Sequence, residues 1–118
     1  MSIKRGDIYI AKLDPIVGSE QGGTRPVVVI QNDVGNNNSS TVIVAPITKY
    51  INHKNYLPTH IRIKYLNNLK DSIILLEQIR TIDKKRLIRY VETLPKRIID
   101  KLNNGIAISL GIEEILWM

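Results

Sequence analysis

Gly18-Ser19-Glu20-Gln21-Gly22-Gly23-Thr24-Arg25-Pro26 runs directly into Val27-Val28-Val29-Ile30. A loop carrying three glycines, a carboxylate and an arginine is thus followed by four apolar residues without alternation. Glycine lets the backbone take positive φ and come close to a ligand. Pro26 fixes its own φ and biases Arg25 toward an extended conformation, which puts the guanidinium at a strand edge with its fork outward. The unbroken apolar run fits a strand buried on both faces. From these residues alone the loop reads equally as a ligand-holding segment or as a tight hairpin connection whose Glu20 and Arg25 are merely solvated.

Working outward, Ile8 and Ile10 alternate with Tyr9 and Ala11 in a first strand that reaches Leu13 and stops at Asp14-Pro15. On the other side, Gly35-Asn36-Asn37-Asn38-Ser39-Ser40 is a polar turn-forming cluster. Thr41 to Ile47 then returns as a strand and makes a hairpin with Val27 to Ile30. Pro46 cannot donate to a ladder, so that end of the strand falls at a sheet edge or bulge and leaves Thr48 accessible. Residues 49–58 have no clear period and read as a long loop, which in a compact domain is usually functional or mobile.

From His60 to Tyr65 the chain alternates Ile61 and Ile63 with Arg62 and Lys64, a half-exposed strand with a basic outer face. Ser72 to Leu76 is another β-rich apolar run, Asp83 can cap a short turn through Leu87, and Tyr90 to Leu94 is a further strand. After Pro95 the period changes. Ile98, Ile99, Leu102, Ile106 and Leu110 fall at helical spacing with Gly111 as C-terminal cap, and Asn103-Asn104-Gly105 marks the place for a break. Many short strands with a terminal helix argue for a small, strongly bent, mostly antiparallel sheet or barrel with short helices.

The chain's 118 residues are enough for one domain, 1–118, that buries roughly two thirds of its unfolded surface. Absence of cysteine excludes disulfide frameworks and thiolate metal sites and suits a reducing cytoplasm, where we expect the protein. Nothing here reads as a signal peptide or a membrane span. Lysine plus arginine number 17 against 11 acids, a net charge of +6 and a pI near 9.7, so a polyanion or an acidic protein is a fitting partner. Two histidines separated by a loop and a strand onset make no metal site, and no cofactor is expected.

Several stretches resemble, in order and spacing, the MazF/PemK family of toxin endoribonucleases, and together they cover nearly the whole chain. They are Arg5-Gly6-Asp7-Ile8-Tyr9, Gly18-Ser19-Glu20-Gln21, Thr24-Arg25-Pro26-Val27-Val28-Val29-Ile30, Val44-Ala45-Pro46-Ile47-Thr48, Leu57-Pro58-Thr59-His60 and the run from Leu75-Leu76-Glu77-Gln78 through Arg80 to Lys84. The resemblance implies the SH3-like barrel of the MazF and CcdB toxins, closed by a C-terminal helix, and a homodimer. It implies a metal-independent, sequence-selective endoribonuclease, the toxin of a type II toxin–antitoxin module. Such an enzyme cuts single-stranded RNA by attack of a 2′-hydroxyl, leaving a cyclic phosphate and a 5′-hydroxyl, and is silenced by an acidic, MazE-like cognate antitoxin.

The same resemblance makes Arg25 the catalytic arginine, whose fork can hold two phosphate oxygens, and Thr48 the second catalytic position. Glu20 is the general-base candidate, or else a salt bridge that shapes the loop. Ser19 and Gln21 are base or phosphate contacts, or turn caps. Lys49, Tyr50, Lys54 and Tyr56 interleave cations with rings, a pattern that suits unpaired bases or simply a solvated loop. Glu77, Gln78 and Arg80 match a family motif in which the glutamine can read a base edge and the arginine can hold phosphate or a dimer mate's carboxylate. His60 lies off the family's catalytic positions and reads as solvated or backbone-bonded. Two other readings stay open: a CcdB-like gyrase poison acting through the terminal Trp117, and a non-catalytic RNA-binding barrel.

Overall fold

The computed structural model describes residues 2–50, 57–64 and 66–112. Seven strands, all paired antiparallel, precede a C-terminal helix: β1 (Asp7–Lys12), β2 (Thr24–Val29), β3 (Thr41–Lys49), β4 (His60–Ile63), β5 (Ser72–Leu75), β6 (Arg80–Asp83) and β7 (Leu87–Thr93). A short helix α1 (Asp33–Asn38) joins β2 to β3, single 3-10 turns occupy Leu76–Gln78 and Lys84–Arg86, and α2 spans Lys96–Leu110. Neighbours across the sheet run β4-β5-β3-β2-β1-β7, with β6 also paired to β3. Among the described residues the end strands β4 and β7 do not pair, so the sheet is bent but open.

The apolar run at 27–30 does what its lack of alternation predicts. Val28 and Ile30 join one buried cluster with Ile8, Ala45, Ile47, Ile74, Leu76, Ile98 and Leu102, while Val27 and Val29 join another with Tyr9, Leu13, Val42, Val44 and Ile82. Each face of the strand therefore has its own core. The first is roofed by α2, whose buried line is Ile98, Leu102 and Gly105.

β3 is the shared spine. It pairs with β2 through Val44–Pro46, with β6 through Thr41–Val44 and with β5 through Ile47–Lys49. On β3, Val44 and Ile47 are three residues apart, but their partners Arg80 and Ile74 are six apart, so three extra residues must leave the ladder. They form the 3-10 turn Leu76–Gln78, which the next section places in the floor of a cleft.

Several expectations change, among them the strand expected from His60 to Tyr65, which ends at Ile63. The Gly35–Ser40 region is not a turn cluster but the body of α1: Asn32 caps it by accepting from Gly35 N at 2.8 Å, and buried Asn36 exchanges hydrogen bonds with Gln31. Side-chain capping and a satisfied buried amide outweigh poor helix propensity. β3 runs on to Lys49, because it changes partner from β2 to β5 instead of ending near Pro46. The last strand begins at Leu87, earlier than Tyr90, and carries two register shifts against β1. α2 is unbroken at Asn103-Asn104-Gly105, and Leu110 is 60% exposed rather than core. Gly105 packs the helix closely on the turn after β5, since a Cβ there would collide with Leu76 Cδ1. The cap residue Gly111 does take the left-handed conformation, φ 72°, and Asp83 does cap the turn after β6 by accepting from Lys85 N at 2.8 Å.

Candidate nucleic-acid site

The signature loop is fixed from several sides. Leu13 N donates to Gly23 O at 2.9 Å and Gly23 N to Asp14 Oδ1 at 3.0 Å, closing the loop at its base. Gly23 has φ 76° there, a conformation that side chains resist. Arg80 Nη1 donates to Leu13 O at 3.0 Å, while Arg86 Nη1 donates to the carbonyls of Lys12 and Asp14, so two arginines from β6 and the turn after it grip the loop's entry strand. At the loop's tip, Gln21 N donates to Gln78 Oε1 at 2.7 Å. This single bond ties residues 57 apart and sets the loop against the Leu76–Gln78 turn.

Between loop and turn lies a cleft of about 460 Å³ lined by Ser19, Glu20, Gln21, Glu77, Gln78 and Arg80, with exposed Val17 at its rim. A second hollow of about 260 Å³ shares Gln21, Glu77 and Gln78 with it and extends to Thr48 and His60. Of the twelve residues expected at the site, six therefore line one cleft and Thr48 its extension, although they come from three separate parts of the chain.

Arg25 leads from the loop into β2, half-buried, with Nε donating to Gly22 O at 2.7 Å. Its two terminal nitrogens have no partner among the described residues. The β2–β3 ladder runs from Val29 opposite Val44 to Val27 opposite Pro46, two residues short of Arg25 on one strand and of Thr48 on the other, where β3 turns to pair with β5. The Thr48 hydroxyl, half-buried, likewise has no protein partner among the described residues.

Glu20 differs from expectation in its company. Its Oε1 accepts from Val17 N at 2.7 Å, and no ion pair joins it to Arg25 among the described residues. The carboxylate thus caps its own turn while still facing the cleft. Gln78 differs too, since its carbonyl oxygen already accepts from Gln21 N while its amide NH₂ has no partner among the described residues. Each Glu77 oxygen has a protein partner: Oε1 accepts from Thr59 Oγ1 at 3.1 Å, and Oε2 lies 2.9 Å from His60 Nε2. His60 Nδ1 accepts from Leu57 N at 3.3 Å, which assigns the proton to Nε2 and makes it the donor to Glu77. His60 is consequently neither merely solvated nor simply backbone-bonded. It and Thr59 tie the turn that begins β4 to the cleft floor, a pairing that the spacing of Leu57-Pro58-Thr59-His60 and Glu77 in the sequence could not announce.

Lys49 closes β3, exposed. Tyr50 has the Arg62 guanidinium 3.6 Å from its ring centroid, so that face already carries a cation from the protein itself. Arg62 also holds Asp71 bidentately at 2.7 and 3.0 Å, and this bond lowers the Asp71 carboxyl below the ordinary carboxylate range. Lys54, Tyr56 and Trp117 lie outside the described residues. Among the described residues no three metal-ligating side chains converge, and no helix is long and apolar enough to cross a membrane.

Comparison with known proteins agrees with this geometry. The chain is 55% identical over 116 residues to the endoribonuclease MazF of Staphylococcus saprophyticus, covering 96% of this chain and 95% of that one. It is 54% identical over 114 residues to the endoribonuclease EndoA of Bacillus subtilis (strain 168), covering 95% and 97%. A crystal structure of MazF from Deinococcus radiodurans superposes with a TM-score of 0.81 at 20% identity over 94% of this chain and 98% of that one, which shows a common fold. Residues 4–110 match the family model described as the PemK-like, MazF-like toxin of type II toxin–antitoxin systems, and the chain belongs to that family.

Proposed function

We propose that this protein is a metal-independent, sequence-selective endoribonuclease that cuts single-stranded RNA, the toxin of a type II toxin–antitoxin module. The observation that carries the reading is the bond from Gln21 N to Gln78 Oε1, which folds the signature loop over a cleft ending at the unpartnered Thr48 hydroxyl. The two relatives above are named endoribonucleases, and the family description names toxin–antitoxin systems. Because the matching family is PemK/MazF, the gyrase-poison alternative is disfavoured.

In this reading the scissile phosphate lies between Arg25 and Thr48. A base removes the proton of the neighbouring 2′-hydroxyl as its oxygen bonds to phosphorus. The P–O5′ bond then breaks, the departing oxygen takes a proton, and the products are a 2′,3′-cyclic phosphate and a 5′-hydroxyl. The guanidinium, with Nε held by Gly22, offers its terminal nitrogens to the oxygens that gain charge, and Thr48 adds a hydroxyl donor. Glu20 is the base candidate, its second oxygen being unused by the turn it caps. Ser19, Gln21, Glu77, Gln78 and Arg80 contact the bases or backbone along the cleft, while Lys49, Tyr50, Lys54 and Tyr56 hold the strand beyond it. The reading includes a single toxin domain over 1–118 whose bent sheet is of the SH3-like barrel type, a homodimer, action in the cytoplasm where its RNA is, and an acidic cognate antitoxin.

The test is cleavage of a long mixed-sequence single-stranded RNA in excess EDTA, wild type beside Arg25→Ala, with the fragment ends identified. We expect discrete cuts with cyclic-phosphate and 5′-hydroxyl ends, slowed on the order of 10²–10³-fold in the variant. Intact RNA with wild-type protein, or cuts that vanish with EDTA, would overturn the reading.

A further inference from the structure

Thr48 lines two hollows, and the mechanism above uses only one of them. The other, also about 260 Å³, shares only Thr48 with it and reaches to Pro26, Leu69 and Lys70. Its apolar lining is half-buried Pro26 and Leu69 with buried Ile47, and Lys49 and Lys70 are among its lining residues. Neither lysine side chain has a hydrogen-bond or ion-pair partner among the described residues. No lining residue is acidic. Asp71, next to Lys70 in sequence, does not neutralise it, because both carboxylate oxygens are taken by Arg62 at 2.7 and 3.0 Å.

The wall bearing Leu69 and Lys70 is held in place. Leu66 and Leu69 bridge each other across a tight turn, and Asn68 N in that turn donates to Glu92 Oε1 of β7 at 2.6 Å. The floor on the other side belongs to β2 and β3, whose neighbours Val27 and Ala45 are fully buried. The hollow is thus preformed between fixed elements. It differs in charge from the 460 Å³ cleft, where Glu20 and Glu77 stand beside Arg80.

We propose that this hollow is a nucleotide subsite continuing the RNA track past Thr48. One unstacked base lies on Pro26 and Leu69, and its phosphate sits between Lys49 and Lys70. The inference rests on the reading that Arg25 and Thr48 hold the scissile phosphate, and it adds a division of labour. The cleft with acids and amides has the groups to read base edges. The second arm has an apolar platform and two cations, which accept any base and grip the backbone. A duplex cannot offer a single base to such a floor, so the subsite also favours unpaired RNA.

The experiment uses full-length wild type, Lys70→Ala and, as a charge control on the first turn of α2, Arg97→Ala. Substrates are synthetic oligoribonucleotides around one mapped cut, trimmed a nucleotide at a time from each end and assayed at several salt concentrations. Lys70→Ala should raise KM roughly three- to tenfold with kcat unchanged, equally for every base at the subsite. It should also flatten the fall of log kcat/KM with log salt by about 0.7, the share of one phosphate contact on a single strand. Trimming the nucleotide on one side of the cut should cost wild type the same factor and the variant nothing. If wild type cuts RNA and Lys70→Ala matches it, or matches Arg97→Ala, in KM and salt slope, the subsite is overturned while the ribonuclease stands. A fall in kcat at unchanged KM would place Lys70 at the reacting phosphate and overturn it as well. Failure of wild type to cut any RNA removes the ribonuclease reading and the subsite together.

Discussion

Gln78 spends its carbonyl oxygen on the Gln21 backbone, and this decides what its loss should do. Gln78→Ala leaves Gln21 N–H without its acceptor and lets the loop tip swing, at about 1 kcal/mol for one hydrogen bond. We expect KM for RNA to rise about fivefold, kcat to stay within a factor of two, and Tm to fall by roughly 3–5 °C. Steady-state kinetics decide it: a hundredfold loss in kcat with KM unchanged would make Gln78 a group that touches the reacting atoms. The sequence nominates Arg25, Thr48 and Glu20 because each sits in a short contiguous motif, and the structure places Glu20 on the cleft and Thr48 on its extension. What those side chains bond to was not legible in the sequence. The Gln21–Gln78 contact joins positions 57 apart, and the Glu77 carboxylate meets Thr59 and His60 only because β4 and β5 pair with His60 opposite Leu75. Glu20 shows the converse, since its bond to Val17, three residues away, is local and won over the ion pair imagined with Arg25.

Among the elements, α2 bears most directly on the site. Gly105 lets the helix press against Leu76, the first residue of the cleft-floor turn, and one turn further on Ser109 Oγ donates to Leu76 O at 2.7 Å. Gly105→Ala improves helix propensity by about 1 kcal/mol yet forces a methyl into a filled space, and overpacking of this kind costs about 1–3 kcal/mol. We expect net destabilisation, a lower urea midpoint at unchanged m-value, together with weaker RNA cleavage as the turn is displaced. A variant more stable than wild type would mean that Leu76 yields freely and that the helix does not position the turn. The helix itself was legible from its apolar spacing and from Gly111, but Asn103-Asn104-Gly105 read as a weak point because propensity scores a residue alone. The glycine is there for its neighbour across the interface. α1 was missed for a related reason, as its cap and its buried Asn36–Gln31 exchange outweigh the turn-forming character of its Asp, Gly and Asn residues.

For the molecule as a whole, a net charge of +6 sets how partners arrive. A disordered acidic antitoxin segment laid over the cleft and the lysine-lined hollow would block RNA and neutralise the surface at once. We expect its association rate to fall about tenfold or more between low and high salt, read by stopped-flow mixing with the purified toxin. A rate flat across that range would show that charge does not guide the encounter. The open, bent antiparallel sheet was legible as a class from many short strands and turn signals, whereas the order of strands was not, since nothing local says that β3 takes three partners. That arrangement has an evolutionary consequence. β5 and β6 are each anchored independently on β3, so the Leu76–Gln78 excursion between them can change length or composition without slipping either register. A lineage can therefore alter the floor of its cleft, and with it the RNA sequence it accepts, while inheriting the scaffold intact.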